Sequence, residues 1–338
     1  MTWCAKSVSF DPKKDIPPLT DKVILVTGGN VGLGKQAVLE YARHGPGLIW
    51  LAARSVEKAD AVIDEIKHQV PDANIKALEL DLASFASVKK AAATVLSTSP
   101  RLDILMLNAG IMAATPGLTA DGYELQFGTN HMGHALLTKL LLPLLLQTAA
   151  TTTTTSSSKN HANNSSSPSP SPSPARIVVL SSDGHRFAAK PGIDFATLKT
   201  PAEGLGAFGR YFQSKLANAL WARELAARHD ATQTLVVAAV HPGMVRTQLI
   251  ERAGGSPAVV RAAIRAAAAL NLIPSVEHGV RNQLWASVAA PGSDLVSGEY
   301  YEPVGVAGRA SALARDGELA RRLWEWTEKE LEGHVVEL

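Results

Sequence analysis

Six short, largely apolar runs recur along the chain, and no other feature limits the fold so strongly. They fall at 22–27 (KVILVT), 48–53 (LIWLAA), 75–80 (IKALEL), 104–107 (ILML), 177–180 (IVVL) and 235–240 (LVVAAV). A strand that is apolar at every position must be covered on both faces, as in a parallel sheet sandwiched between helices. The segments 35–44, 56–69, 85–96, 211–228 and 276–288 carry helical spacing. Strand and helix therefore alternate, which predicts an α/β chain with a doubly wound sheet. With 46% hydrophobic residues in a chain of 338, a large core is well supplied. Length alone suggests two domains as readily as one. The unbroken alternation predicts a single domain over 21–338.

Residues 148–174 (TAATTTTTSSSKNHANNSSSPSPSPSP) break the pattern. Such a composition buries too little apolar surface to offset the entropy of ordering it, so a disordered insertion is expected between a helix and the next strand. A Ser-Pro loop controlled by phosphorylation is the alternative. Residues 1–20 hold Lys6, Asp11, Lys13, Lys14, Asp15 and three prolines, which predicts an extended arm rather than a signal peptide. The most apolar stretch, 136–146, is too short for a bilayer and contains Lys139 and Pro143, so no membrane span is expected. Lys plus Arg number 33 against 31 Asp plus Glu, and a net charge of +2 argues against a nucleic-acid partner. Cys4 is the only cysteine, which excludes internal disulfides and Cys-based zinc sites and points to a reducing, cytoplasmic setting.

The first run ends in Thr27-Gly28-Gly29-Asn30-Val31-Gly32-Leu33-Gly34. A strand, a glycine-rich turn and a helix in that order can hold a pyrophosphate, because glycine allows close approach and the helix start offers free N–H groups. The turn predicts dinucleotide binding through Gly28, Asn30, Gly32, Leu33 and Gly34. The second run ends in Ala53-Arg54, with no carboxylate where an NAD-binding chain carries one for the ribose hydroxyls. Arg54 suits a 2′-phosphate, so NADP(H) is expected. Asp81 and Leu82, then Asn108, Ala109 and Gly110, follow the third and fourth runs, where ligands bind in open α/β sheets. Helix capping and turn formation are the ordinary alternatives for Asp81 and Asn108.

Tyr211 and Lys215 are four residues apart and share a helix face. An adjacent ammonium favours the ionised phenol and so draws it toward acid–base chemistry. The pair alone is weak evidence in a chain with five tyrosines, because this spacing arises easily by chance. Ser181 and Ser182 end the fifth run and add a hydroxyl that can face Tyr211 across a carbonyl group.

Together these segments resemble a short-chain dehydrogenase/reductase: TGGNVGLG, then NAG at Asn108, TNHMGH around Asn130, SS, YFQSK and HPGMVRT, in family order over residues 20–305. AARSVEKA, TNHMGH, SKLAN and the gap from Ser182 to Tyr211 resemble the retinol-dehydrogenase-like and WW-domain-oxidoreductase-like branch. The insertion and the unanchored start are more similar to soluble fungal reductases of secondary metabolism. The resemblance implies a single Rossmann-type domain with a mostly parallel seven-stranded sheet flanked by helices on both faces. It implies Tyr211 as proton donor, Lys215 as ribose ligand and modulator of the phenol, Ser182 (rather than Ser181) as polariser of the substrate oxygen, and Asn130 as support for a proton relay. Pro242, Gly243, Val245 and Thr247 would hold the nicotinamide side. His241 reads as structural, and no histidine spacing suggests a metal.

Residues 248–276 are expected to form a substrate lid, with an amphipathic helix over 258–270. Phe187, Phe195 and Phe208 would form the opposite rim. The apolar stretch 136–146 fits either burial or a homodimer interface. The function expected is hydride exchange between nicotinamide and a carbonyl or secondary alcohol of a small, hydrophobic substrate. A non-catalytic dinucleotide-binding redox sensor or scaffold is the alternative; an epimerase or dehydratase is disfavoured by the Gly-x3-Gly-x-Gly spacing.

Overall fold

In the computed structural model, β1 (Val23–Thr27) carries the alternation that organises the whole core. Ile24 and Val26 face one side of the sheet and Leu25 faces the other, and all three are fully buried. The described residues are 7–158, 174–229, 234–245, 274–289 and 295–335. Cys4, Thr247 and the expected lid helix over 258–270 lie outside them.

From β1 the chain continues through α2 (Gly32–Ala42), β2 (Leu48–Ala53), α3 (Val56–Gln69), β3 (Ile75–Glu79), α4 (Phe85–Thr98) and β4 (Ile104–Leu107). After a short α5 (Leu125–Phe127) come the long α6 (Gly133–Ser158), β5 (Ala175–Leu180), α7 (Gly206–His229) and β6 (Leu235–Val240). The described chain closes with α8 (Val276–Gly279), α9 (Arg281–Val288), β7 (Tyr300–Tyr301) and α10 (Gly317–Glu330). The seven strands lie in the order β3-β2-β1-β4-β5-β6-β7, and every pairing is parallel. The order reverses between β1 and β4, so the crevice for a ligand opens there, at the carboxyl ends of those strands. On one face the sheet is covered by α4, α6, α7 and α10, and on the other by α2, α3 and α9.

At the opposite end of the sheet, Asp103 fastens β1 to β4. Its carboxylate accepts from the Val23 amide at 2.9 Å, from Lys22 Nζ at 3.1 Å and from two nitrogens of Arg101 at 2.7 and 2.8 Å. Part of the N-terminal arm is seated rather than free: Pro12–Asp15 makes a helical turn capped by Asp11, and Phe10, Ile16 and Leu19 are buried.

Several expectations shift at element boundaries: the helix expected over 211–228 runs Gly206–His229 and the strand expected over 177–180 runs Ala175–Leu180, and three further shifts have a visible cause. Helix α2 starts at Gly32 rather than Lys35, which places two of the glycines in its first turn. The expected 276–288 helix is interrupted at Val280, where Gly279 packs on Val245. The insertion expected to be disordered from Thr148 is helical through Ser158, because Thr148 is anchored: its hydroxyl accepts from the Leu102 amide at 2.9 Å and donates to the Leu144 carbonyl at 2.7 Å. Residues 159–173 lie outside the described set. The run Leu125–Thr151 has the length and composition of a membrane span, yet 67% of its apolar window is buried inside the fold. Leu136, Leu137, Leu141 and Leu145 are fully covered by the chain's own core, whereas Leu140, Leu142 and Leu146 of the same stretch are only partly buried.

Candidate active site

A cleft of about 450 Å³ opens at the carboxyl ends of β1, β2, β4 and β5. Gly28, Asn30, Gly32, Leu33, Arg54, Asp81, Leu82, Asn108, Ala109, Gly110, Tyr211, Lys215 and Pro242 all line it, together with Thr27, Leu180 and Ser181. Gly34 lies just behind. A Cβ on Gly34 would come within 2.2 Å of the Gly28 carbonyl oxygen, and one on Gly28 within 3.1 Å of Ala109. Gly28 and Gly32 also have φ of +65° and +52°, a region costly for any residue with a Cβ. Val31, the N-cap of α2, supplies no side-chain acceptor, so the first amides of the helix are left for a ligand. This donor set fits the pyrophosphate of a dinucleotide.

One hydroxyl ties three of the sequence motifs together. Thr27 Oγ1 accepts from the Ala109 amide at 2.9 Å and lies 2.9 Å from His134 Nε2. His134 Nδ1 is 3.0 Å from the Asn130 carbonyl, which can only accept, so Nδ1 carries the proton and Nε2 accepts from Thr27. Burial lowers the His134 pKa to about 4, consistent with that neutral ring. The neighbouring His131 is pushed to about 3, also chiefly by burial. Asn108 completes the frame by donating to the Thr27 carbonyl at 2.9 Å.

Arg54 is exposed at the end of β2 and lines the cleft. Among the described residues no carboxylate pairs with it. Asp81 is partly committed to its own turn, since its carboxylate accepts from the Ala83 amide at 2.9 Å.

Tyr211 and Lys215 face the cleft from the second and third turns of α7. The Ser182 side chain stands beside the phenol and favours its ionised form, but burial is the larger effect and raises the Tyr211 pKa. The expected lowering by Lys215 is not what sets the phenol. Lys215 Nζ lies 5.8 Å from the ring centre and donates to the Leu180 carbonyl at 2.8 Å, and burial pulls its own pKa down to about 8. Asn130 sits in a π-helical turn, Gly128–Met132, that feeds α6. Its amide is engaged with Ile111 (2.8 and 2.9 Å) and with Ser214 Oγ at 2.9 Å. Asn130 thus fixes the loop beside Gly110 and the back of α7. Ser181 turns away from Tyr211 and donates to the Lys215 carbonyl at 2.7 Å.

Two residues with no sequence signal stand behind Ser182. His185 is fully buried, donates from Nδ1 to the Ser182 carbonyl at 2.7 Å, and accepts at Nε2 from the Ser311 amide at 3.0 Å. Tyr300 packs its ring 4.7 Å from that of His185. Nothing local in the sequence brings Ser311 or Tyr300 to this point. Of the nicotinamide-side candidates, Pro242 lines the cleft; Val245 is buried against Gly279, and Gly243 (φ +86°) forms the turn. His241 holds the strand end through its backbone, donating to Tyr301 at 2.9 Å and accepting from Asn282 at 2.7 Å. The expected rim divides. Phe187 and Phe208 meet at Phe212, whereas Phe195 packs on Trp326 of α10. No cluster of three or more metal-ligating side chains occurs among the described residues.

The chain is similar to known proteins in both sequence and fold. A family model described as short chain dehydrogenase matches residues 22–186. The chain is 38% identical over 323 residues to a short-chain dehydrogenase/reductase of Aspergillus calidoustus, covering 94% of this chain and 95% of that one. It is 36% identical to human retinol dehydrogenase 13, over 90% of this chain and 82% of the relative. A Mycobacterium paratuberculosis crystal structure superposes with a TM-score of 0.66 at 26% identity, covering 94% and 96% of the two chains. A Shigella flexneri short chain dehydrogenase complexed with NADP shares the fold at 22% identity, with a TM-score of 0.59 and 86% and 99% coverage.

Proposed function

The chain belongs to the short-chain dehydrogenase/reductase family, in its retinol-dehydrogenase-like branch, and on that premise we propose an NADP(H)-dependent carbonyl reductase, or the reverse alcohol dehydrogenase, for a small hydrophobic substrate. Membership makes the protein an oxidoreductase that acts on CH–OH or C=O groups with a nicotinamide dinucleotide. The observation that carries the finer reading is the Tyr211 phenol, with the Ser182 side chain beside it and Lys215 one turn away, on the wall of the cleft that begins at the glycine turn.

Each group has a task. The amides of Gly32, Leu33 and Gly34, with Gly28 and Asn30 leaving room for approach, would hold the pyrophosphate. Arg54, exposed and without a carboxylate partner among the described residues, would take the 2′-phosphate; Asp81 and Leu82 would border the adenine. Asn108, Ala109, Gly110, Pro242, Gly243, Val245 and Thr247 would frame the nicotinamide side. When bound, the nicotinamide supplies or accepts the hydride. Ser182 holds the substrate oxygen by hydrogen bonding, and Tyr211 donates a proton to that oxygen during reduction or removes it during oxidation. Lys215, anchored by the Leu180 carbonyl and 5.8 Å from the Tyr211 ring, would hold the ribose and supply a positive charge near the phenol. Asn130 acts at one remove by fixing Ile111 and Ser214. A redox sensor without catalysis would have no use for this proton-transfer set.

The test is NADPH oxidation across aliphatic, aromatic and polycyclic carbonyls, run beside NADPH binding. The reading expects Tyr211→Phe to bind NADPH as the parent does and to lose turnover with every accepted carbonyl. Undiminished turnover in that variant refutes it.

A further inference from the structure

Five large hydrophobic side chains stand exposed among the described residues, and Phe187, 65% exposed, is the one aromatic ring of the five. It belongs to a group. The Phe187 ring lies 5.5 Å from Phe212, and Phe212 lies 6.1 Å from Phe208, close to parallel at 29°. Phe208 and Phe212 are one turn apart on α7, and Phe212 directly follows Tyr211. Such an apolar cluster costs solvation in the free protein and marks a binding surface.

Gly184 joins this surface to the reacting groups. A Cβ there would come within 2.9 Å of Phe212 Cδ1 and 3.3 Å of Ser182 Oγ. The absent side chain therefore lets an aromatic ring lie directly beside the serine hydroxyl. Arg186, next to Phe187 in the chain, is ion-paired with Asp183 and Glu302, so its own charge is matched beside the rings.

We propose that Phe187, Phe208 and Phe212 form a platform for the body of the substrate, and that the substrate carries its carbonyl on a rigid, flat, fused-ring apolar skeleton. This rests on the reaction proposed above, and it names the substrate class. The carbonyl oxygen must reach both Tyr211 and Ser182, so the skeleton leaves that point across Phe212. The ring spacings make a surface wider than one ring, which a fused system covers in a single placement. Aromatic faces stack favourably against flat partners. A flexible chain of equal size must freeze its rotatable bonds to lie there, whereas a fused skeleton has few to freeze.

The probes are α-tetralone, trans-decalone and an open-chain methyl ketone of the same carbon number, each tested with the NADPH-supplied enzyme. Binding is followed by ligand-observed NMR and turnover by NADPH oxidation. The expected result is about a tenfold preference in kcat/KM for both fused ketones, with Phe187→Ala raising their KM about five- to tenfold while kcat and the open-chain ketone change little. Phe208→Ala should act in the same direction, which guards against one variant simply misfolding. Equal affinity for all three ketones overturns the platform, as does an equal effect of Phe187→Ala on all three, or failure of the fused ketones to bind. Binding of fused ketones without turnover overturns the proposed reaction and leaves the platform standing.

Discussion

At the carboxyl ends of β1 and β4 the cleft is shaped by main chain, whereas at the end of β5 it is shaped by side chains arriving from distant segments. The first half depends on what is missing: no Cβ at Gly28 or Gly34, no side-chain cap on α2. The second half depends on what arrives: the His185 ring behind Ser182, the Phe212 ring across Gly184, and the Lys215 side chain held on the Leu180 carbonyl. The first can bind any ligand with the right phosphate, because backbone amides do not read the rest of the molecule. The second confers selectivity and can be retuned one side chain at a time.

Substitutions on the two sides should therefore fail differently. Tyr211→Phe should lower turnover about a thousandfold while NADPH affinity stays within about twofold, measured by NADPH oxidation and fluorescence titration. Gly34→Ala should do the reverse of a clean separation. Its Cβ meets the Gly28 carbonyl at 2.2 Å, and backbone cannot yield as a side chain tip can. Overpacking of this kind costs about 1–3 kcal/mol, so calorimetry should show a lower Tm and titration about ten- to a hundredfold weaker NADPH binding. Unchanged binding in Gly34→Ala would break the comparison. His185→Ala should cost about 1–3 kcal/mol in urea unfolding, because the Ser182 carbonyl and the Ser311 amide lose their buried partner, with NADPH affinity unaffected. Arg54→Ala should weaken NADPH about tenfold and NADH hardly at all; equal weakening of both would remove the 2′-phosphate role.

The smallest effects concern pH. Unfolded, His131 and His134 take up protons below about pH 6.5; folded, they resist until about 3 and 4. The unfolded chain thus binds more protons across that interval, and stability falls as the solution is acidified through it. Lys215 works at the other end. Its folded pKa of about 8 lies below the ordinary 10.5, so burying it costs stability at neutral pH, and that cost fades as pH rises between the two values. His134→Gln should flatten the acid limb and Lys215→Met the alkaline one, both read from urea midpoints at stepped pH.

The same contrast explains what the sequence discloses. Glycines at fixed spacing after an apolar run reveal a phosphate turn, because the backbone requirement is local. The apolar runs likewise reveal buried parallel strands, down to β2 at its observed bounds, except that IKALEL, interrupted by Lys76 and Glu79, forms the edge strand β3 with both of those side chains exposed. Tyr211 and Lys215 are legible because one helix carries both. His185 and Ser311 are illegible, since their meeting depends on how the segment before α10 folds back over 126 residues of separation. Phe195 and Phe208 read alike as rim residues, yet one turns to Trp326 and the other to Phe212. The threonine-rich start of the insertion reads as disordered because composition does not reveal the bond from the Leu102 amide to Thr148.

Asp103 carries a consequence for the birth of the molecule. It pairs with a backbone amide 80 residues earlier, at the first position of β1. On a ribosome, β1, β2 and β3 are complete before β4 emerges, and until then β1 is an edge strand with one row of amides and carbonyls unsatisfied. The cleft cannot exist in that interval, because half of its floor has not been synthesised. Arrival of Asp103 closes the open edge of β1 and begins the crevice, but β4 is then the edge until β5 joins it, and Tyr211, Lys215 and Pro242 complete the pocket later still.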